Sequence, residues 1–173
     1  MVALEIALAR LWEAHGITPT LLVGHSIGEF AAAHLAGVLS LQDTLRLVRE
    51  RGRLMQELPP GVMVSLRMGE LGAVELLGEI SARRDECGLA AVNGPRQVVV
   101  AGPDEAMEEL IQLAEARGIG ARPLRTSHAF HSPMMDPMLE PFRRVLSQVS
   151  FGRAQRDVFS TVTGERASPE ELA

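Results

Sequence analysis

The stretch Leu21-Leu22-Val23-Gly24-His25-Ser26-Ile27-Gly28, followed by the alanine-rich run Glu29 to Ala36, constrains this chain more than any other segment. The apolar run after Pro19 has the length of a buried parallel strand. The alanines beyond Gly28 predict a tightly packed helix. A strand that passes into a helix through a glycine-flanked serine must turn sharply, which commits this region to an α/β fold with a parallel sheet. Gly24 and Gly28 carry no Cβ, so strand and helix are expected to approach closely at both positions.

The flanking segments extend this pattern. Leu4, Ala7, Leu8 and Leu11 follow helical spacing, and Gly16 supplies a stop. Ser40-Leu41-Gln42-Asp43 reads as a helix start, with Ser40 as N-cap and Asp43 in place of the usual Glu. That helix is expected to run to about Leu58, where Pro59-Pro60 ends it. From Gly61 the rhythm changes. Strands are expected at Val62–Leu66, Leu89–Val92, Gln97–Ala101 and Ala121–Leu124, with helices over Gly69–Arg84 and Asp104–Arg117. This β-α-β-β-α-β order is the ferredoxin-like pattern. Ser127 to Pro133 then forms a polar loop, before a helix from about Met135 to Val149 and a strand near Val158–Thr161. The expected architecture is α/β: a hydrolase-like parallel-sheet core from residues 1–60 and 127–173, with a ferredoxin-like α+β subdomain, 61–126, inserted into it.

Composition removes several classes of function. The chain has 173 residues, 46% of them hydrophobic, which supports little more than one domain. Its 17 basic and 22 acidic residues form no basic block, so no nucleic-acid partner is expected. Val2 to Leu11 is apolar-rich, but Glu5 interrupts it and no basic leader precedes it, so it reads as a helix and not a signal peptide. No apolar run approaches the ~20 residues that span a bilayer, and no membrane association is expected. Cys87, the single cysteine, cannot form an internal disulfide, and a reducing, cytoplasmic setting is expected. One Trp, five Phe and no Tyr argue against an aromatic platform for single-stranded nucleic acid or sugars. No metal or bound cofactor is expected.

A serine on a strand–turn–helix elbow projects its hydroxyl above the sheet edge, next to unpaired helix N–H groups that can face a developing oxyanion. Ile27 would supply one such donor. Ser26 is then a nucleophile; the competing reading makes it a helix cap in a glycine-rich turn. A serine hydroxyl needs a base. His15 ends a helix, His34 lies beyond the elbow on the alanine-rich helix, and His25, adjacent to Ser26, forms a pocket wall. His128 and His131 share one loop, and spacing alone does not choose between them. Arg51 is one of several charges on its helix, with Arg46, Arg49, Glu50 and Arg53, and by itself reads as part of a solvated face. Met55, one turn on, lines a pocket or fills the core.

Four motifs occur in order: GHSIGEF over Gly24–Phe30, RGRLMQ over Arg51–Gln56, AVNGPRQVVVAGP over Ala91–Pro103, and HAFHSPMM over His128–Met135. Together they resemble the acyltransferase domain of modular polyketide synthases, related to malonyl-CoA:acyl-carrier-protein transacylases, along essentially the whole chain. The resemblance implies that Ser26 accepts the acyl group, that His131 is its base, and that Arg51 pairs with the free carboxylate of a malonyl-type group. A guanidinium fork suits that role because it binds carboxylate bidentately and keeps its charge. His128 and Phe130 match positions associated with extender choice: the HAFH form goes with malonyl units and a YASH form with methylmalonyl. A bulky Phe130 would crowd an α-methyl group, a discrimination of ~1–3 kcal/mol.

The family orients its histidine through a backbone carbonyl, consistent with the absence of any acidic motif around Asp43, Asp85, Asp104, Asp136 or Asp157. Asp136 is expected to serve its own helix. The resemblance also implies that an earlier glycine- and glutamine-rich oxyanion motif and a later strand and helix lie outside this chain, leaving the parallel core incomplete. The expected activity is transfer of malonyl from malonyl-CoA, through acyl-Ser26, to the phosphopantetheine thiol of an acyl carrier protein, beside neighbouring polyketide synthase domains. The alternatives are a serine hydrolase of lipase or patatin type, and a catalytically silent fragment that docks carrier protein or neighbouring domains.

Overall fold

Leu21–Val23 (β1) pairs in parallel with Asp157–Phe159 (β6), Leu22 lying opposite Val158, so the strand before Ser26 has its partner near the far end of the chain. The structure, a computed structural model, describes residues 1–168. The chain divides into two compact units, Met1–Arg53 with Phe142–Ala173, and Leu54–Pro141. Residues 169–173, expected at the end of the main core, lie outside the described residues.

In the first unit, Val2–Ala14 (α1) and Gly28–Leu35 (α2) accompany the parallel pair, together with most of Leu41–Gln56 (α3). Ser40 caps α3 as expected: its Oγ accepts the Asp43 N–H at 3.0 Å and donates to the Asp43 carboxylate at 2.7 Å. The helix ends at Gln56, short of Leu58. One core joins Leu22 and Val158 to Ala32, Ala36, Val38, Leu47 and Val149. The α1 helix is present, but Val2 and Ile6 face its small cluster with Ala31, while Leu4, Leu8 and Leu11 of the expected stripe are exposed. Apolar residues lie around much of α1, so spacing did not single out the buried face.

The second unit is a four-stranded antiparallel sheet in the order β3-β4-β2-β5: Val62–Leu66 (β2), Gly88–Gly94 (β3), Gln97–Gly102 (β4) and Ala121–Pro123 (β5). Each β-α-β half straddles a strand of the other, the split arrangement expected of the ferredoxin-like pattern. Helices Glu70–Glu79 (α4) and Asp104–Ala116 (α5) cover one face, where Val64, Leu66, Val98, Val100, Ala106 and Leu110 are fully buried. The first helix stops at Glu79 instead of continuing to Arg84, and Ile80 turns extended. The Glu109 carboxylate of α5 accepts the N–H groups of Ser81 and Ala82 at 3.0–3.1 Å, so a cap from a distant helix ends α4.

The loop from Ser127 to Met135 falls within this second unit. Ala129, Met134 and Met135 pack against Met63, Val99 and Ala101 on the face of the sheet away from α4 and α5. Asp136–Leu146 (α6) follows. No helix among the described residues is long and apolar enough to cross a membrane.

Candidate functional site

Ser26 has φ +52°, a left-handed backbone that costs a residue with a side chain about 1–2 kcal/mol. Strain held at one residue must be fixed by its surroundings, and three features fix this one. A Cβ on Gly24 would stand 2.3 Å from the backbone of Gly28, so only glycine fits where β1 meets α2. Gly28 has nothing within 4 Å of such a Cβ, and the close approach is the work of Gly24 alone. Ile27 packs against the Val2–Ile6–Ala31 cluster. Thr161, just beyond β6, donates its Oγ1–H to Glu29 Oε1 at 2.8 Å, and its backbone N–H reaches the same oxygen at 3.4 Å. That brace ties the first turn of α2 to the end of the partner strand. Local sequence windows could not find it, because its members lie at opposite ends of the chain.

The α2 N-cap is Ile27, with no side-chain capping hydrogen bond, so Ser26 is not the cap residue. The N–H groups of Gly28, Glu29 and Phe30 are taken by the carbonyls of His25, Ser26 and Ile27. Among the described residues the Ile27 N–H makes no backbone hydrogen bond. His25 is exposed beside Ser26. His34 is anchored, its Nδ1 3.0 Å from the Leu39 carbonyl.

The arginines of α3 divide by what they touch. Arg46 bonds Gln148, and Arg49 and Arg53 both pair with Glu50, at 3.1 and 2.9 Å. Arg51 is half-buried and has no hydrogen bond or ion pair among the described residues. Burial lowers its pKa from arginine's ordinary value, yet the group stays charged at neutral pH. A desolvated guanidinium without a counter-charge is a receptor for an anion.

In the second unit, Met55 and Phe130 join the cluster around Met63, Ala129 and Met135. His128 is buried, and both ring nitrogens are engaged: Nδ1 lies 2.8 Å from Ser127 Oγ and Nε2 3.2 Å from the Leu58 carbonyl. Its ring stands 5.9 Å from that of Phe130. His128 therefore serves as a strut that holds the loop and backs Phe130.

His131, by contrast, is exposed and has φ +60°. Its neighbours are pinned. Ala129 is fully buried, and a Cβ on Gly61 would stand 2.7 Å from the Ala129 Cβ. The buried Ser132 donates to the Ala129 carbonyl at 2.7 Å and caps the following turn. A serine directly before Pro133 is a cap signal that sequence reasoning had available. Among the described residues only Ser26, His131 and Arg83 combine a side chain with positive φ. Asp136 opens α6, in the place expected of it. Among the described residues no cluster of His, Cys, Asp and Glu has the makings of a metal site.

A family profile described as acyl transferase domain matches residues 1–173. The polyketide synthase GfsA of Streptomyces halstedii is 48% identical over 173 residues, 99% of this chain and 2% of that protein. The acyltransferase domain from the second module of the salinomycin polyketide synthase superposes with TM-score 0.91 at 47% identity, over 96% of this chain and 39% of that one. The acyl transferase domain of SpnD, solved in complex with 2-(pent-4-yn-1-yl)malonyl, superposes with TM-score 0.88 at 36% identity, over 97% of this chain and 40% of that one. The chain thus spans a small part of the synthase and less than half of each solved domain. The family profile spans the whole chain, and the chain belongs to the acyl transferase domain family found in polyketide synthases.

Proposed function

We propose that this protein transfers a malonyl-type acyl group from coenzyme A to the phosphopantetheine thiol of an acyl carrier protein, through an ester on Ser26. The left-handed backbone of Ser26 at the β1–α2 turn carries the reading, since strain at one hydroxyl-bearing residue marks a functional position. In the first half-reaction Ser26 Oγ attacks the thioester carbonyl and His131 takes its proton. The tetrahedral oxyanion accepts hydrogen bonds, one of them from the Ile27 N–H. The C–S bond then breaks, and coenzyme A leaves as the thiol with the proton held by His131. In the second half the carrier thiol gives its proton to His131 and attacks the ester, and Ser26 recovers its hydroxyl.

Arg51 holds the carboxylate at the far end of the acyl group, which distinguishes malonyl-type substrates from simple fatty acyl groups. Its unpaired state supports this role, as does the malonyl-type group bound by the SpnD domain. His128, clamped on both ring nitrogens, backs Phe130 against an α-substituent, which favours malonyl over methylmalonyl.

Intact-mass spectrometry of the protein after incubation with malonyl-CoA or methylmalonyl-CoA tests the reading. The expected result is a malonyl adduct that forms faster than the methylmalonyl one and is absent from Ser26→Ala. Rapid release of malonate to water with no thiol present would favour a hydrolase of lipase or patatin type. A folded protein that never acquires an adduct would favour a silent docking role.

A further inference from the structure

The face of the second unit's sheet away from α4 and α5 changes character along its strands. In successive cross-strand rows, the β4, β2 and β5 residues are Ala101–Met63–Leu124, then Val99–Ser65–Arg122, then Gln97–Arg67–Gly120. The first row lies under the loop that carries Ala129 and Met135. Two rows on, the face is open and basic. There Arg67, Arg122 and Arg125 line a groove of about 720 Å³ with Ser65, Gln97 and the backbone of edge strand β5.

None of these three arginines has an ion pair or hydrogen-bonded acid among the described residues. Elsewhere in the chain Arg10, Arg83, Arg117, Arg156 and Arg166 are paired with carboxylates. No acidic side chain lines the groove, although the chain carries a net charge of −5. Exposed arginines left unneutralised on an acidic protein are positioned for charges that come from outside.

From this charge pattern we propose that the groove is a docking surface for the acidic face of the acyl carrier protein. The inference rests on a carrier being the acyl acceptor, and it names where that partner sits. Spacing favours a protein over a lone phosphate. Arg67 and Arg122 stand on neighbouring strands in diagonal register, ~7–8 Å apart at their backbones. Carboxylates one turn apart on a helix are spaced by ~5–6 Å, which such a pair can span. A phosphate site draws on converging backbone N–H groups at a helix N-terminus, and no helix end lines this groove. The docked carrier would lie on the same sheet face as the His128–Met135 loop, toward which its thiol must be delivered.

The combined variant Arg67→Ala/Arg122→Ala/Arg125→Ala tests this, because all three residues are exposed and lie outside the reacting groups. Loading of Ser26 from malonyl-CoA should stay within about twofold, while KM for a holo acyl carrier protein rises about tenfold and loses most of its salt dependence. Unchanged KM for the carrier would overturn the proposal. So would a raised KM for malonyl-CoA with the carrier unaffected, which would assign the groove to the phosphates of coenzyme A. If the unaltered protein forms no acyl-Ser26, the proposed reaction fails, and calorimetric binding of the same holo carrier decides the groove separately. Binding weakened about tenfold by the variant supports it; equal binding, or none to either protein, sinks it.

Discussion

In the second unit, four strands and two helices enclose Val64, Leu66, Val98, Val100, Ala106 and Leu110 with no measurable exposure. In the first, a two-stranded sheet leaves Leu21 and Val23 49% and 63% exposed, and Trp12 on α1 56% exposed. Yet each unit holds a strained candidate residue, Ser26 in the first and His131 in the second. His131 is fixed by a packed surround, with Ala129 and Ser132 buried on either side. Ser26 is fixed by a few particular contacts: the Gly24–Gly28 approach, the Ile27 anchor and the Glu29–Thr161 brace. A deep core holds a strained backbone through many small terms, whereas a thin one depends on each.

The largest expected effect concerns what the strain is for. His131→Ala should slow Ser26 loading by about 10²–10⁴-fold, the usual worth of a general base, with circular dichroism unchanged. Arg83, the third residue with positive φ, ion-pairs with Glu86 and serves its own turn. Arg83→Ala should leave loading within about twofold, as a surface change away from the chemistry. Equal losses in both variants would mean that positive φ marks fold strain here and not function.

Next comes the turn at Ser26. Gly24→Ala sets a methyl 2.3 Å from the backbone of Gly28, a contact that backbone cannot accept without shifting, and should destabilise the protein by about 3 kcal/mol or more. Gly28→Ala meets open space at the start of α2 and should be neutral, or stabilising by up to about 1 kcal/mol. Urea denaturation of the two variants measures the contrast. Equal costs would show that Gly28 also tightens the turn, as the sequence alone implied.

Much of the architecture is legible in the sequence. Each expected strand appears, because short β-branched runs such as Val98-Val99-Val100 between turn residues have few other solutions. Several features that the sequence does not show share one physical origin. The Glu109 cap that shortens α4, the Thr161 brace, and the packing of the Ser127–Met135 loop on Met63 are all contacts between residues far apart in sequence. The preference for His131 over His128 as the base comes from the resemblance, since spacing alone does not choose between them; the ring contacts of His128 were not legible in the sequence. Two partners on its nitrogens make His128 a support.

The difference in core depth is measurable directly. Leu110→Ala, in the closed core of the second unit, should cost about 2–5 kcal/mol. Leu8→Ala, on the exposed side of α1, should fall within about 0.5 kcal/mol. A large cost at Leu8 in solution would reveal that this side of α1 is covered after all, and would bring the two units closer in kind.

The smallest effect is electrostatic and belongs to the second unit. The Glu109 carboxylate accepts N–H groups from Ala82 and Ser81 and the Ser81 hydroxyl, which holds its pKa below the ordinary glutamate value. A lowered folded-state pKa means that its stabilisation is present above the unfolded glutamate value, ~4.3, and is lost as pH falls through the folded one. Melting temperature followed from pH 6 down to pH 3 should therefore decline, and Glu109→Gln should decline less steeply through that window. Because the group is exposed to solvent, the difference should also shrink in high salt. A variant that tracks the unaltered protein at every pH would show that the Ser81–Ala82 turn holds α4 closed without this charge.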